Sequence, residues 1–114
     1  MTDCLFCSIA AGELPADLVH EDELVIAFRD INPQAPTHIL VIPREHVGSA
    51  AELTAAHDGL WARLLHLSHE LAVAEGIAES GYRVVTNVGR DGGQTVGHLH
   101  LHLLGGRPMS WPPG

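Results

Sequence analysis

The sequence predicts an α+β domain, and three observations predict it. Residues 97–105 read Gly-His-Leu-His-Leu-His-Leu-Leu-Gly, an alternation with the period of a β-strand. Leu60, Leu64, Leu67 and Leu71 recur at helical spacing across the middle of the chain. Around that helix lie four more short apolar, β-prone runs, each bounded by acidic, proline or glycine residues.

In chain order, Leu5, Phe6 and Ile9 lie at helical spacing within residues 4–11, and Gly12 and Pro15 stop this short N-terminal helix. Leu18-Val19-His20 and Leu24-Val25-Ile26-Ala27-Phe28 flank the acidic Glu21-Asp22-Glu23 and read as a hairpin. Pro33 and Pro36 forbid helix or central strand after it. His38-Ile39-Leu40-Val41-Ile42-Pro43 is a third strand, apolar enough to be covered on both faces. Thr54 is the expected N-cap of the long helix, which Trp61, Leu65 and Ala72 broaden and which frays between Gly76 and Gly81. Residues 82–88 form a fourth strand leading into a glycine-rich loop, and residues 97–105 a fifth.

Composition narrows the function. The chain has 114 residues, enough for one domain and one modest core. Its formal charge of -8 argues against non-specific nucleic-acid binding but not against a small phosphorylated ligand. No run approaches the roughly 18 apolar residues of a membrane span, and Met1-Thr2-Asp3-Cys4 lacks a secretory pattern, so no membrane partner and a cytoplasmic location are expected. In a reducing compartment Cys4 and Cys7 are not a structural disulfide; metal, redox chemistry or no role remain.

The histidine strand carries the chemistry. His98, His100 and His102 share one face, while Leu99, Leu101 and Leu103 share the other, which must be core. Imidazoles are costly to bury unless both nitrogens find partners, so three in line are poorly explained as packing. Either the row binds a metal or one imidazole is a nucleophile held by the others. In the preceding loop, Gly89, Gly92 and Gly93 permit amides to converge on a phosphate, with Gln94 and Thr95 as added donors. The competing reading of Asp91-Gly92 is a hairpin turn. Asp30 is either a turn acid or an acceptor for ribose hydroxyls, and His46 either a surface residue or a ligand.

Gly93-Gln94-Thr95-Val96-Gly97-His98-Leu99-His100-Leu101-His102-Leu103-Leu104 closely resembles the signature of the histidine triad (HIT) superfamily. Asp30-Ile31-Asn32-Pro33-Gln34-Ala35-Pro36-Thr37-His38, the strand through Pro43-Arg44 and the Gly105-to-Gly114 terminus resemble its Hint branch, so the likeness runs from about Cys4 to the last residue. The resemblance implies a single HIT domain over 1–114: a five-stranded antiparallel sheet with a short N-terminal and a long central helix, continued across a homodimer. It implies cleavage of purine nucleoside phosphoramidates through a nucleotidyl-histidine at His100, with His102 and His38 bonding the phosphate and bracing the site, and Thr95 near the leaving group. Gln94, Gly93 and Asn87 match phosphate-contacting positions, Asp30 a ribose ligand, and Leu5, Phe6, Ile9, Phe28 and Ile31 the purine slot. Similar bacterial members hold a structural Zn²⁺ on the positions of Cys4, Cys7, His46 and His98, which would take His98 out of catalysis; no organic cofactor is implied.

Gly97 stands where the family often has a larger residue and Ser110 where some relatives have histidine, whereas Trp111 matches a residue that approaches the partner's site. Alternatives are a dinucleoside polyphosphate hydrolase or phosphorylase of the same fold, a non-catalytic nucleotide-binding regulator, and a metallohydrolase using all three histidines.

Overall fold

The computed structural model describes residues 4–114; Met1-Thr2-Asp3, the acidic start weighed above as a non-secretory sequence, lies outside the described residues. Two α-helices and five β-strands follow in order: α1 (Leu5–Ala10), β1 (Leu18–Glu21), β2 (Val25–Arg29), β3 (Thr37–Pro43), α2 (Asp58–Ala74), β4 (Tyr82–Val85) and β5 (Leu101–Gly105). The strands form one sheet in the order β1-β2-β3-β5-β4, every neighbouring pair antiparallel. This is the five-stranded α+β architecture expected from the sequence.

The apolar stripe of α2 decides which sheet face becomes the main core. Leu64, Leu67, Leu71 and Ala72 pack on Val25, Ala27, Ile39, Val41, Leu99, Leu101 and Leu103. The opposite face is apolar only in part: Ile26, Phe28, Leu40 and Ile42 cluster with Phe6 of α1. All seven residues of β3 are buried, as a strand covered on both sides requires. Arg29 forms a forked ion pair with Glu75, at 2.7 and 3.1 Å, fastening the end of β2 to the end of α2.

Three boundaries differ from the sequence reading. The Thr54 hydroxyl accepts from the Ala56 amide as an N-cap should, yet it opens a 3₁₀ turn, Ala55–His57, in which His57 completes a capping box; α2 itself starts at Asp58. β4 stops at Val85 rather than reaching residue 88, and β5 starts at Leu101 rather than Gly97. The ladder ends there because its bonds are taken: the Thr86 hydroxyl donates to the His100 carbonyl at 2.9 Å, and the Leu99 amide donates to Val47 O at 2.6 Å. The alternation nonetheless persists through the irregular residues. Leu99, Leu101 and Leu103 enter the α2-side core, and the three histidines face the side occupied by Phe6.

Candidate functional site

The register sets the histidine face. Leu40 and Val85 both lie opposite His102, and His38, at the start of β3, meets His102 across the sheet. His38 Nε2 and His102 Nδ1 are 2.9 Å apart. The partners fix the tautomers. The Gln34 amide donates to His38 Nδ1 at 3.0 Å, so the His38 proton is on Nε2 and is given to His102 Nδ1. That leaves the His102 proton on its Nε2. His100 Nδ1 lies 2.7 Å from the His98 carbonyl and must donate to it, so Nε2 of His100 carries the unshared lone pair. Burial lowers the His38 pKa, with Asp30 Oδ2 at 3.5 Å pulling the other way. Burial, then the imidazoles of His100 and His38, lower His102 to about 4. Both are neutral at physiological pH.

A cleft of about 370 Å³ opens over this row. Leu5, Phe6 and Ile9 of α1, with Phe28 and Ile31, give it apolar walls; Asp30, Thr95, His100 and His102 line it as well. The Phe6 ring stands edge-on to His100 at 5.1 Å between centroids. Ile31 is fully exposed at the mouth. Asp30 Oδ1 accepts from the Asn32 amide at 2.8 Å, which fixes the carboxylate. Leu14, Pro15 and Ala16 also line the cleft and were not singled out from sequence, because a connector without periodicity gives no signal.

The glycine loop is held by its own hydrogen bonds. Gly93 has φ +80, and a Cβ on Gly92 would collide with the Val88 carbonyl, so the glycines serve the loop's own path. The Gly93 and Gln94 amides donate to the Arg90 and Gly89 carbonyls, and the Gly89 amide donates to Gln94 Oε1. Gln94 Nε2 donates to Gly48 O and Val96 O. These three amides and the Gln94 side chain therefore close the loop on itself. Thr95 lines the cleft, whereas Asn87 lines a separate cleft beyond His102. Trp111 is 82% exposed and lines neither cleft of its own chain.

Cys4, Cys7, His46 and His98 come together from α1, the segment after β3 and the segment before β5, with their ligating atoms within 4.8 Å of one another. Both cysteines are thiols rather than a disulfide. His98 Nδ1 lies 3.3 Å from Cys4 Sγ and 3.5 Å from Cys7 Sγ, and His46 Nδ1 lies 3.2 Å from Cys7 Sγ. Thiolate and imidazole donors on a tetrahedral Zn²⁺ stand about 3.6 Å apart, so the set fits that ion. His98 Nε2 lies 2.9 Å from Pro43 O and donates to it, which turns the Nδ1 lone pair toward the sulfurs. Without a cation, burial and the adjoining Cys4 push the Cys7 thiol up to about 11. The geometry overturns the reading of His98, His100 and His102 as one ligand set: His98 groups with the cysteines, His102 with Asp30 and His38, and His100 with neither.

Comparison with known proteins agrees with these features. The HIT domain family matches residues 11–109. The chain is 48% identical over 107 residues to the purine nucleoside phosphoramidase of Escherichia coli K12, covering 94% of this chain and 90% of that one. It is 51% identical over 112 residues to a 14 kDa zinc-binding protein of Zea mays, covering 96% and 87%. A HIT family hydrolase from Legionella pneumophila superposes with TM-score 0.97 at 54% identity, covering 98% of this chain and all of the other.

Proposed function

Since the chain belongs to the HIT domain family, we propose that it hydrolyses purine nucleoside 5′-phosphoramidates through a covalent nucleotidyl-histidine at His100. The observation that carries this reading is the His100 imidazole, its Nδ1 proton given to the His98 carbonyl at 2.7 Å and its Nε2 lone pair left for the cleft. In the first step Nε2 attacks the α-phosphorus, a P–N bond forms, and the P–N bond to the leaving amine breaks. The carbonyl that holds Nδ1–H stabilises the charge that develops on the ring. His102, its proton on Nε2, bonds the phosphoryl oxygens, and His38 braces it. The Thr95 hydroxyl hydrogen-bonds the departing amine, which takes up a proton from solvent as it leaves; the water that attacks in the second step returns one. Water then attacks the same phosphorus, releasing the nucleoside monophosphate and restoring His100.

Asp30 binds the ribose hydroxyls, and Leu5, Phe6, Ile9, Phe28 and Ile31 sandwich the purine. Gly93 and Gln94 contribute by holding the loop that presents Thr95. Cys4, Cys7, His46 and His98 would hold Zn²⁺, which ties α1 to the sheet when bound. A reducing cytoplasm, which keeps both thiols available, is the compartment this reading requires. The protein acts as a homodimer joined along β4 and α2.

The test is mass spectrometry of protein mixed with adenosine 5′-phosphoramidate and quenched without acid. Wild type should show an adenylyl adduct and His100→Ala none. Turnover that survives His100→Ala, or that follows metal content instead, overturns the reading.

A further inference from the structure

We propose that the cleft beyond His102 is an anion subsite, in which Arg83 and Arg107 take a carboxylate- or phosphate-bearing arm of the leaving group. The inference rests on the reading above and adds the chemistry of the substrate's other half.

The charge pattern points there. The chain has six cations, all arginine, against fourteen acids. Four have carboxylate partners: Arg29 with Glu75 and Asp17, Arg44 with Glu21, Arg63 with Asp22 and Glu70, and Arg90 with Asp91. Arg83 and Arg107 alone have no carboxylate within 4.0 Å among the described residues, and both line one cleft of about 350 Å³. Backbone carbonyls orient them instead. Arg83 Nη2 donates to Ser110 O at 2.9 Å, and Arg107 donates from Nε to Gln34 O at 3.0 Å and from Nη1 to Pro108 O at 3.1 Å. Carbonyl partners fix the guanidinium planes, leave other N–H donors unspent and leave the positive charge uncompensated.

The rest of the wall suits an anion. The amides of Gln34 and Asn87 line it, and no Asp or Glu does. His102 lines both this cleft and the apolar one. A substrate whose phosphorus sits at the histidines therefore has two unlike compartments to fill, one apolar for the nucleoside and one cationic for the arm that departs. Arg83 and Val85 alternate with Tyr82 and Val84, which pack on the α2-side core, so the cleft opens on the sheet's face while the hydrogen-bonding edge of β4 points sideways.

The experiment compares three adenosine 5′-phosphoramidates whose amines are glutamate, its neutral diamide and an aminoalkylphosphonate. The acidic arms should exceed the neutral one in kcat/KM by about tenfold, as charge-assisted hydrogen bonds to arginine allow. The two acids tell whether carboxylate or phosphate is preferred. In Arg83→Gln and Arg107→Gln the ratio of acidic to neutral should fall toward one, and Arg83→Lys should keep part of it. A second measurement needs no turnover: the NMR signals of the Arg83 and Arg107 Nε–H groups during titration with inorganic phosphate. Shifts without turnover of any phosphoramidate would refute the proposed activity and support the anion site. A wild-type ratio near one without shifts overturns the proposal. So do signals that answer to protein concentration but not to phosphate, which would give the cleft to a second copy of the chain.

Discussion

His102 shows how a single residue's surroundings reach the stability of the whole protein. Burial, with His100 and His38 beside it, holds its pKa at about 4, and burial lowers His38 as well. An unfolded histidine titrates near 6.5. Between those values the unfolded chain binds protons that the folded chain refuses, so stability rises with pH across that window. It is complete above about pH 6.5 and is lost as pH falls toward 4. Urea midpoints measured from pH 7 down to 4.5 should decline, and His102→Asn should flatten the decline; an equal slope in the variant would remove His102 as its source. Thr86 tests positioning rather than charge. Its hydroxyl fixes the His100 carbonyl at 2.9 Å, so Thr86→Val should lower stability by about 1 kcal/mol and reduce kcat more than it raises KM. An unchanged kcat would leave Thr86 a purely structural residue. The shared face of the histidines was legible because a period of two survives irregular backbone. Their tautomers were not, because Gln34 N and Pro43 O are partners supplied only by the tertiary fold.

Among the elements, α1 depends most on its surroundings. Six residues cannot hold a helix in water. What keeps it is Phe6 in the second core, Arg44 Nη1 on the Ala10 carbonyl at 2.7 Å, and the Cys4-Cys7-His46-His98 group. Purified protein should contain about one Zn²⁺ per chain by elemental analysis, as a four-ligand site of this kind dictates. Chelation, or Cys7→Ser, should lower the melting temperature by several degrees and speed hydrogen exchange in α1 while sparing the amides of α2. Equal exchange in α1 with and without metal would detach the cluster from the helix. The spacing of the two cysteines was visible in sequence, but their distance in chain from His46 and His98 made the set legible only through the family resemblance. The reverse holds for α2, whose leucines announced it alone. The start of β5 was missed because alternation continues past the last ladder bond.

At the scale of the molecule, β4 and the neighbouring face of α2 form an exposed surface. β4 ends the sheet with an unpaired edge, a feature that proteins protect or use. Beside it, Leu65, His69 and Val73 recur at i, i+4 and i+8 along α2, with Leu65 43% and Val73 57% exposed. His69 Nδ1 lies 2.6 Å from the Tyr82 hydroxyl, so the helix stripe and the strand edge form one continuous face. Among the described residues no helix is long and apolar enough to cross a membrane. The homodimer proposed above would satisfy both halves at once, with β4 pairing antiparallel to its symmetry mate and the α2 stripes packing across the same two-fold axis. Because the net charge is -8, such a dimer must outweigh long-range repulsion, and its affinity should therefore increase with salt. Sedimentation equilibrium at micromolar protein should give twice the chain mass. Leu65→Glu with Val73→Glu should yield a folded monomer, since both side chains are already solvent-facing in one chain. A wild-type mass of one chain at every concentration would leave the face to another partner, and a double variant that stays dimeric would move the interface elsewhere.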